Sequence, residues 1–187
     1  MIAALFVQES GIYASIPGID LWPESRDARL YAGPHPVIAH PPCQRWSTLA
    51  HIHKHREGRG FGADDGCFAS ALSSVERWGG VLEHPRGSGA WPAHRLPEPS
   101  PDGWTRNLWR PGWACLVEQG HYGHPAPKAT LLYYVGRSPP PPLRWGPSVA
   151  TTTTIELMSS KGPSRSATPP EFAALLIDLA NLSRGTP

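Results

Sequence analysis

The sequence predicts a mixed α/β domain built on a mostly parallel sheet. Two observations carry the prediction. An apolar run at 37–40, a helical-period segment after Asp64 and Asp65, and an apolar pair at 81–82 follow one another within about 45 residues, the order of a parallel βαβ unit. The chain has 187 residues, 40% of them hydrophobic and only 17% charged, which suits one folded domain and excludes a highly charged disordered tail.

The elements follow in order. Residues 2–7 are an apolar run that reads as a buried strand, and residues 11–31 are turn-rich. The run at 37–40 is the second buried strand, stopped by Pro41 and Pro42, which have no N–H for a ladder. Residues 44–63 form a polar, basic loop. Asp64 and Asp65 offer an N-cap, and Cys67, Ala71, Leu72, Val75 and Trp78 recur at helical spacing until Gly79 and Gly80 end the helix. Cys67 is expected on that helix's apolar face. Residues 81–82 begin another strand, and 85–112 read as a long surface excursion rich in Pro, Gly and Trp. Strands are expected at 113–118 and 129–136, the latter rich in β-branched and aromatic residues. Cys115 is expected buried in the first of these. Pro139 to Pro142 make a stiff segment, Thr151 to Thr154 favour extended backbone, and Pro169-Pro170 open a terminal amphipathic helix. The whole of 1–187 reads as one domain, with 137–165 a short linker or recognition segment and 166–187 the closing helix.

Composition narrows the function classes. There are 17 basic and 15 acidic residues, so the overall field is weak and any nucleic-acid contact must use a local patch. Such a patch is offered by Arg45, Lys54, Arg56 and Arg59, with His51, His53 and His55 between them reading as part of a solvated basic loop. Arg26, Asp27 and Arg29 read as a surface ion-pair cluster. Three cysteines without a close pair argue against a disulfide framework or a cysteine-rich zinc site, and no metal site is expected. No apolar run reaches 18 residues and no signal segment is evident, so a cytoplasmic protein without a membrane partner is expected.

The chemistry-bearing feature is VIAHPPCQRWS. It sets Cys43 just beyond a parallel strand, where open α/β sheets bind ligands, and two prolines fix its backbone. His40 and Arg45 are placed to favour the thiolate, the nucleophilic form. VLEHP sets Glu83 at the end of the neighbouring strand, so nucleophile and carboxylic acid meet at one sheet edge. Such a pair can attack a heterocycle while binding a ring nitrogen.

On these residues the chain resembles the DNA cytosine-5 methyltransferases. Pro42-Cys43-Gln44 with Ser47 is similar to their catalytic Pro-Cys-Gln loop, and Val81-Leu82-Glu83-His84-Pro85 to their Glu-Asn-Val segment, with His84 in place of asparagine. Tyr122, Gly123 and Pro125 fit their Tyr-Gly-x-Pro-Gln-x-Arg-x-Arg segment, where Ala126 replaces glutamine, Lys128 the first arginine and Thr130 the second. The closing segment, 166–180, is similar too, and the pieces keep the family's order over about two thirds of the chain.

The resemblance implies a reduced Rossmann-like, class I methyltransferase-type fold acting on DNA by base flipping. It makes Cys43 the nucleophile toward carbon 6 of cytosine and Glu83 the acid at ring nitrogen 3. It places Gln44, Arg45, Ser47, His84, Lys128 and Thr130 against the substrate. It assigns S-adenosylmethionine, with methyl transfer to carbon 5, to Phe6, Gly11, Asp20 and Trp22. The family's glycine-rich cofactor loop is missing, however. After Leu5-Phe6 stands VQESG, with Gly11 its one glycine. This leaves three further expectations open: another donor for the same carbon-5 chemistry, a second protein that completes the cofactor or recognition half, or a non-catalytic DNA- or partner-binding descendant.

Overall fold

A computed structural model of the chain describes residues 1–47, 50, 60–106, 108–149, 158 and 167–184. The strands are β1 (Ile2–Leu5), β2 (Ile19–Trp22), β3 (Val37–Ala39), β4 (Gly80–Pro85), β5 (Thr105–Arg106), β6 (Trp113–Glu118) and β7 (Ala129–Val135). The α-helices among the described residues are α1 (Cys67–Trp78), α2 (Ala90–Ala93) and α3 (Pro170–Ser183).

Local chemistry sets the boundaries. β1 stops at Leu5 because Phe6 takes a left-handed conformation, φ 58°. β3 stops before the proline pair, as expected. The Asp64 carboxylate accepts the Phe68 N–H (2.8 Å) and the Gly66 N–H (3.1 Å), so it supplies the helix-start bonds of α1 that the sequence led one to expect. Gly79, at φ 78°, ends α1, and its N–H reaches Val75 O. Gly80 opens β4 at φ 121°, where a Cβ would stand 2.0 Å from Val37 O. Only glycine lets β4 pass that close to β3. Pro170 occupies the first turn of α3, where its missing N–H costs nothing.

All seven strands join one sheet in the order β2-β1-β3-β4-β7-β6-β5. β2, β1, β3 and β4 are mutually parallel. β7 runs antiparallel to β4, β6 antiparallel to β7, and β5 antiparallel to β6. The expectation of a mostly parallel sheet is therefore corrected. The antiparallel β4–β7 and β6–β7 ladders each pair six residues, against three in β1–β3 and in β3–β4. The reason is connection length: the ten residues between β6 and β7 hold one short 3-10 turn, too little for a parallel crossover.

The sheet is covered on both faces, which explains why its strands read as continuous apolar runs. Ala3, Leu5, Val37, Ala39, Leu82, Leu131 and Tyr133 face α1 and α2. Ile2, Ala4, Ile38, Val81, Leu132 and Tyr134 face α3. The buried stripe of α1 is Phe68, Ala71, Leu72, Ser74 and Val75. Cys67 is not part of it: it heads the helix, half-exposed, among the charges of Asp64, Arg29, Asp65 and Asp27. Cys115 is fully buried in β6, as expected.

Within the 85–112 excursion, α2 buries Ala90 and Trp91. The polyproline segment is held where Trp104 Nε1 donates to Pro141 O (2.8 Å). Lys54, Arg56, Arg59, His51, His53, His55 and Thr151 to Thr154 lie outside the described residues.

Candidate functional site

Parallel pairing brings the site together. Ala39 of β3 lies opposite Leu82 of β4, so the next residues, His40 and Glu83, emerge side by side at the carboxyl edge. Side chains alternate along strands. His40 and Glu83 thus share the α3 face with Ile38 and Val81, while His84 turns to the α1 face. The chain after His40 runs through Pro41 and Pro42 to Cys43, which precedes a 3-10 turn at Gln44–Trp46. That turn is pinned by Trp46: it is buried, its N–H donates to Cys43 O (3.0 Å), and its Nε1 donates to Asp64 (2.8 Å).

Glu83 is gripped from both sides. His40 Nδ1 donates to Oε2 at 3.1 Å, and Gln119 Nε2 donates to Oε1 at 3.2 Å. The Tyr13 hydroxyl lies 3.0 Å from the other His40 nitrogen, Nε2. Burial raises the Tyr13 phenol, and the Glu83 charge adds to this, so Tyr13 stays protonated. Gln119 also donates to Thr130 Oγ1 (2.9 Å), which itself donates to Lys128 O (3.1 Å).

These contacts decide the electrostatics. Burial pushes the Glu83 carboxyl up, but the His40 hydrogen bond and the charges of His40, Lys128 and His84 outweigh it and hold it below the usual carboxylate range. Burial pulls the Lys128 ammonium down, opposed by Glu83 and Cys43. Burial raises the Cys43 thiol, and Glu83 raises it further, against weaker relief from a backbone hydrogen bond and from Lys128. Cys43 therefore rests as a thiol. The expectation that His40 and Arg45 favour the thiolate is corrected: His40 is turned to Glu83 and Tyr13, and the charge that relieves the raised thiol is that of Lys128.

Of the other expected substrate contacts, Lys128 acts electrically on both Cys43 and Glu83, and Thr130 is buried and reaches Glu83 through Gln119. Gln44 is exposed next to Cys43, and Ser47 Oγ donates back to Gln44 O (3.2 Å). His84 is not brought to them. Its ring is fully buried, edge-on to Phe68 at 5.1 Å, and neither nitrogen has a partner in hydrogen-bond geometry. Burial lowers it to about 4, against Glu83 and the carbonyls of Pro42 and Pro41.

The expected cofactor residues lie at and near the end of β1 and along β2. Phe6 N–H donates to Trp22 O (3.0 Å). Gly11 is in ordinary extended conformation, φ −75°, and starts a 3-10 turn (Ile12–Ser15) that delivers Tyr13. The Asp20 carboxylate is already taken by Trp22 Nε1 (2.8 Å) and Arg26 Nη1 (2.7 Å), with Arg26 stacked 4.0 Å over the Trp22 ring. Arg29 pairs with Asp27, so this turn is the ion-pair cluster expected of it. A single 3-10 turn follows β1, no glycine cradle is formed, and the one acid is engaged. These residues do not fit S-adenosylmethionine in the manner the resemblance implies.

Tyr13 and Gln119 were not legible as site residues. Tyr13 lies in a turn with no motif, and Gln119 follows β6 at the head of a 3-10 turn, in a segment without catalytic spacing. Only the sheet brings them to Glu83.

The fold and site together define a mixed α/β protein with a thiol, a clamped carboxylate and a lysine at the carboxyl edge of its parallel strands. No family model matches the chain, and no curated protein matches it. Among the described residues, no helix is long and apolar enough to cross a membrane.

Proposed function

We propose that this protein is a transferase that modifies a pyrimidine base in DNA at carbon 5, through covalent attack of Cys43 on carbon 6. The sequence resemblance implies cytosine as the base and a methyl or related one-carbon group as the addition. One observation carries the reading: Cys43, Glu83 and Lys128 gather at the carboxyl ends of β3 and β4 and act on one another electrically. The strand order β2-β1-β3 reverses direction of growth at β1, and open α/β sheets bind ligands outside the carboxyl ends at such a switch. That order supports a reduced Rossmann-like, class I methyltransferase type of fold.

In the proposed addition the Sγ–C6 bond forms, the thiol gives up its proton, and the C5–C6 electron pair makes C5 nucleophilic. Glu83 holds the ring at N3. C5 attacks the donor's electrophilic carbon and the donor's leaving group departs with its bonding pair; the C5 hydrogen then leaves as a proton, its pair re-forms C5=C6, and the C6–S bond breaks to return Cys43 as a thiolate that takes back a proton. The raised thiol favours a second reading, a non-catalytic descendant that binds DNA or a partner protein, since a resting thiol is a weak nucleophile.

Mass spectrometry of nucleosides from the DNA of cells expressing the protein separates the two. A modified pyrimidine present with the native chain and absent with Cys43→Ala supports catalysis. The same nucleosides in both samples refute it.

A further inference from the structure

The clamp on Glu83 says what kind of ring edge the site accepts. Both oxygens of the carboxylate receive a hydrogen: Oε2 from His40 Nδ1 and Oε1 from Gln119 Nε2. The amide orientation of Gln119 is fixed by chemistry. Its nitrogen faces two acceptors, Glu83 Oε1 and Thr130 Oγ1, and the Thr130 hydrogen is committed to Lys128 O. At the other oxygen an ionised Glu83 can only accept, so the hydrogen in its bond to His40 is carried by Nδ1, whichever way the Tyr13–Nε2 bond runs. A donor at each oxygen favours the ionised, acceptor-only form of the carboxyl group over the acid. The direction of its titration agrees. It keeps lone pairs to spare, and 13% of its side chain remains open at the edge.

Cytosine presents a bare lone pair at N3. Against a clamped carboxylate it sets acceptor against acceptor, unless a proton is first taken up between them, which works against the donors that hold Glu83 ionised. A uracil-type ring presents N3–H between two carbonyls. Its N3–H meets the free lone pairs of Glu83, and Lys128 supplies a donor for O4.

We propose that the pyrimidine taken by this site is a uracil-type base, one carrying N3–H, in preference to cytosine. The inference rests on the covalent reading above and narrows its substrate. The addition then balances as follows. The Sγ–C6 bond forms, the thiol proton passes to water, and the C5–C6 pair shifts to leave an enolate on O4 beside Lys128. C5 then takes a proton from water. Loss of the original C5 hydrogen and breakage of C6–S restore base and enzyme, with solvent hydrogen now at C5.

This exchange needs no donor and is the test. DNA oligonucleotides carrying one 2′-deoxyuridine or one 2′-deoxycytidine, each with tritium at C5, are incubated with the full chain, and tritium released to water is counted. Release from deoxyuridine at least about tenfold faster than from deoxycytidine is expected, since a site built around one hydrogen-bonding edge rejects the mismatched edge strongly. Cys43→Ala, checked for folding by circular dichroism, should release none. Glu83→Gln, which puts an N–H donor at the same position, should lower the deoxyuridine-to-deoxycytidine ratio. Equal or faster release from deoxycytidine by the native chain overturns the inference and leaves covalent attack standing. Release from neither overturns covalent attack itself.

Discussion

His84 makes the stability of this protein depend on pH in a way that can be worked out from its surroundings. The ring is fully buried against Phe68, with the carbonyls of Pro41 and Pro42 beside it but no bond of good geometry to either nitrogen. Burial lowers its titration from 6.5 to about 4. In the unfolded chain the same ring binds a proton near its ordinary value. Between these two values the unfolded state holds more protons than the native state, so stability falls as pH falls. The contribution is complete above the unfolded value and is lost on descending toward the folded one. At about 1.4 kcal/mol per pH unit, the loss on reaching pH 4 is about 3 kcal/mol.

His84→Leu keeps nearly the same volume and removes the titration. The assay is urea unfolding of both proteins at intervals from pH 7.5 to pH 4. The native chain should lose about 3 kcal/mol more than the variant across that range, with the difference growing below pH 6.5. Carboxylates such as Glu83 titrate in both proteins and largely cancel. A difference that stays constant across the series refutes the reasoning, because it would mean that His84 takes up its proton equally well in the folded state.

The other predictions concern the sheet, the thiol, DNA and the cofactor. Gly80→Ala puts a Cβ within 2.0 Å of Val37 O at φ 121° and should lower stability by about 3 kcal/mol or more, read from urea midpoints; a loss under about 0.5 kcal/mol would show that β3 and β4 part easily. Cys43 should react with iodoacetamide at pH 7.5 more slowly than a free thiol, faster as the pH is raised, and more slowly still in Lys128→Met, which removes the charge that favours its thiolate; alkylation at pH 7.5 as fast as that of a free thiol would contradict the raised thiol. Replacing Lys54, Arg56 and Arg59 by alanine should weaken DNA binding alike on all sequences and flatten its salt dependence by a little under about one unit per lost phosphate contact; an unchanged slope excludes phosphate contact by these residues. Calorimetry with S-adenosylmethionine should show no tight stoichiometric binding, and a tight isotherm would restore the cofactor to the Phe6–Asp20 region.

How much of this was legible in the sequence follows from the range of the interactions involved. Strand, helix and turn chemistry is local. The strand at 37–39 ends at prolines, Asp64 bonds amides two and four residues on, two glycines stop α1, and Pro170 starts α3, so these elements could be read within two residues or so of their bounds, whereas β2 in the turn-rich 11–31 and α2 and β5 in the 85–112 excursion could not. The neighbourhood of Cys43 and Glu83 was legible for the same reason: consecutive strands of one βαβ unit pair in parallel and put their ends together. Tertiary structure alone decided the direction of the second half of the sheet, because β7 inserts between β4 and β6 through pairings distant in sequence. It alone decided that Cys67 heads α1 outside the core, and that His84 is sealed on the face away from Glu83. It also decided the state of the reactive groups. Tyr13, His40, Gln119 and Lys128 come from four separate segments, and their convergence ionises Glu83 while burial keeps the Cys43 proton in place. A sequence carries the identity of such groups, but desolvation and hydrogen bonding, which set their charge, exist only once the chain has folded.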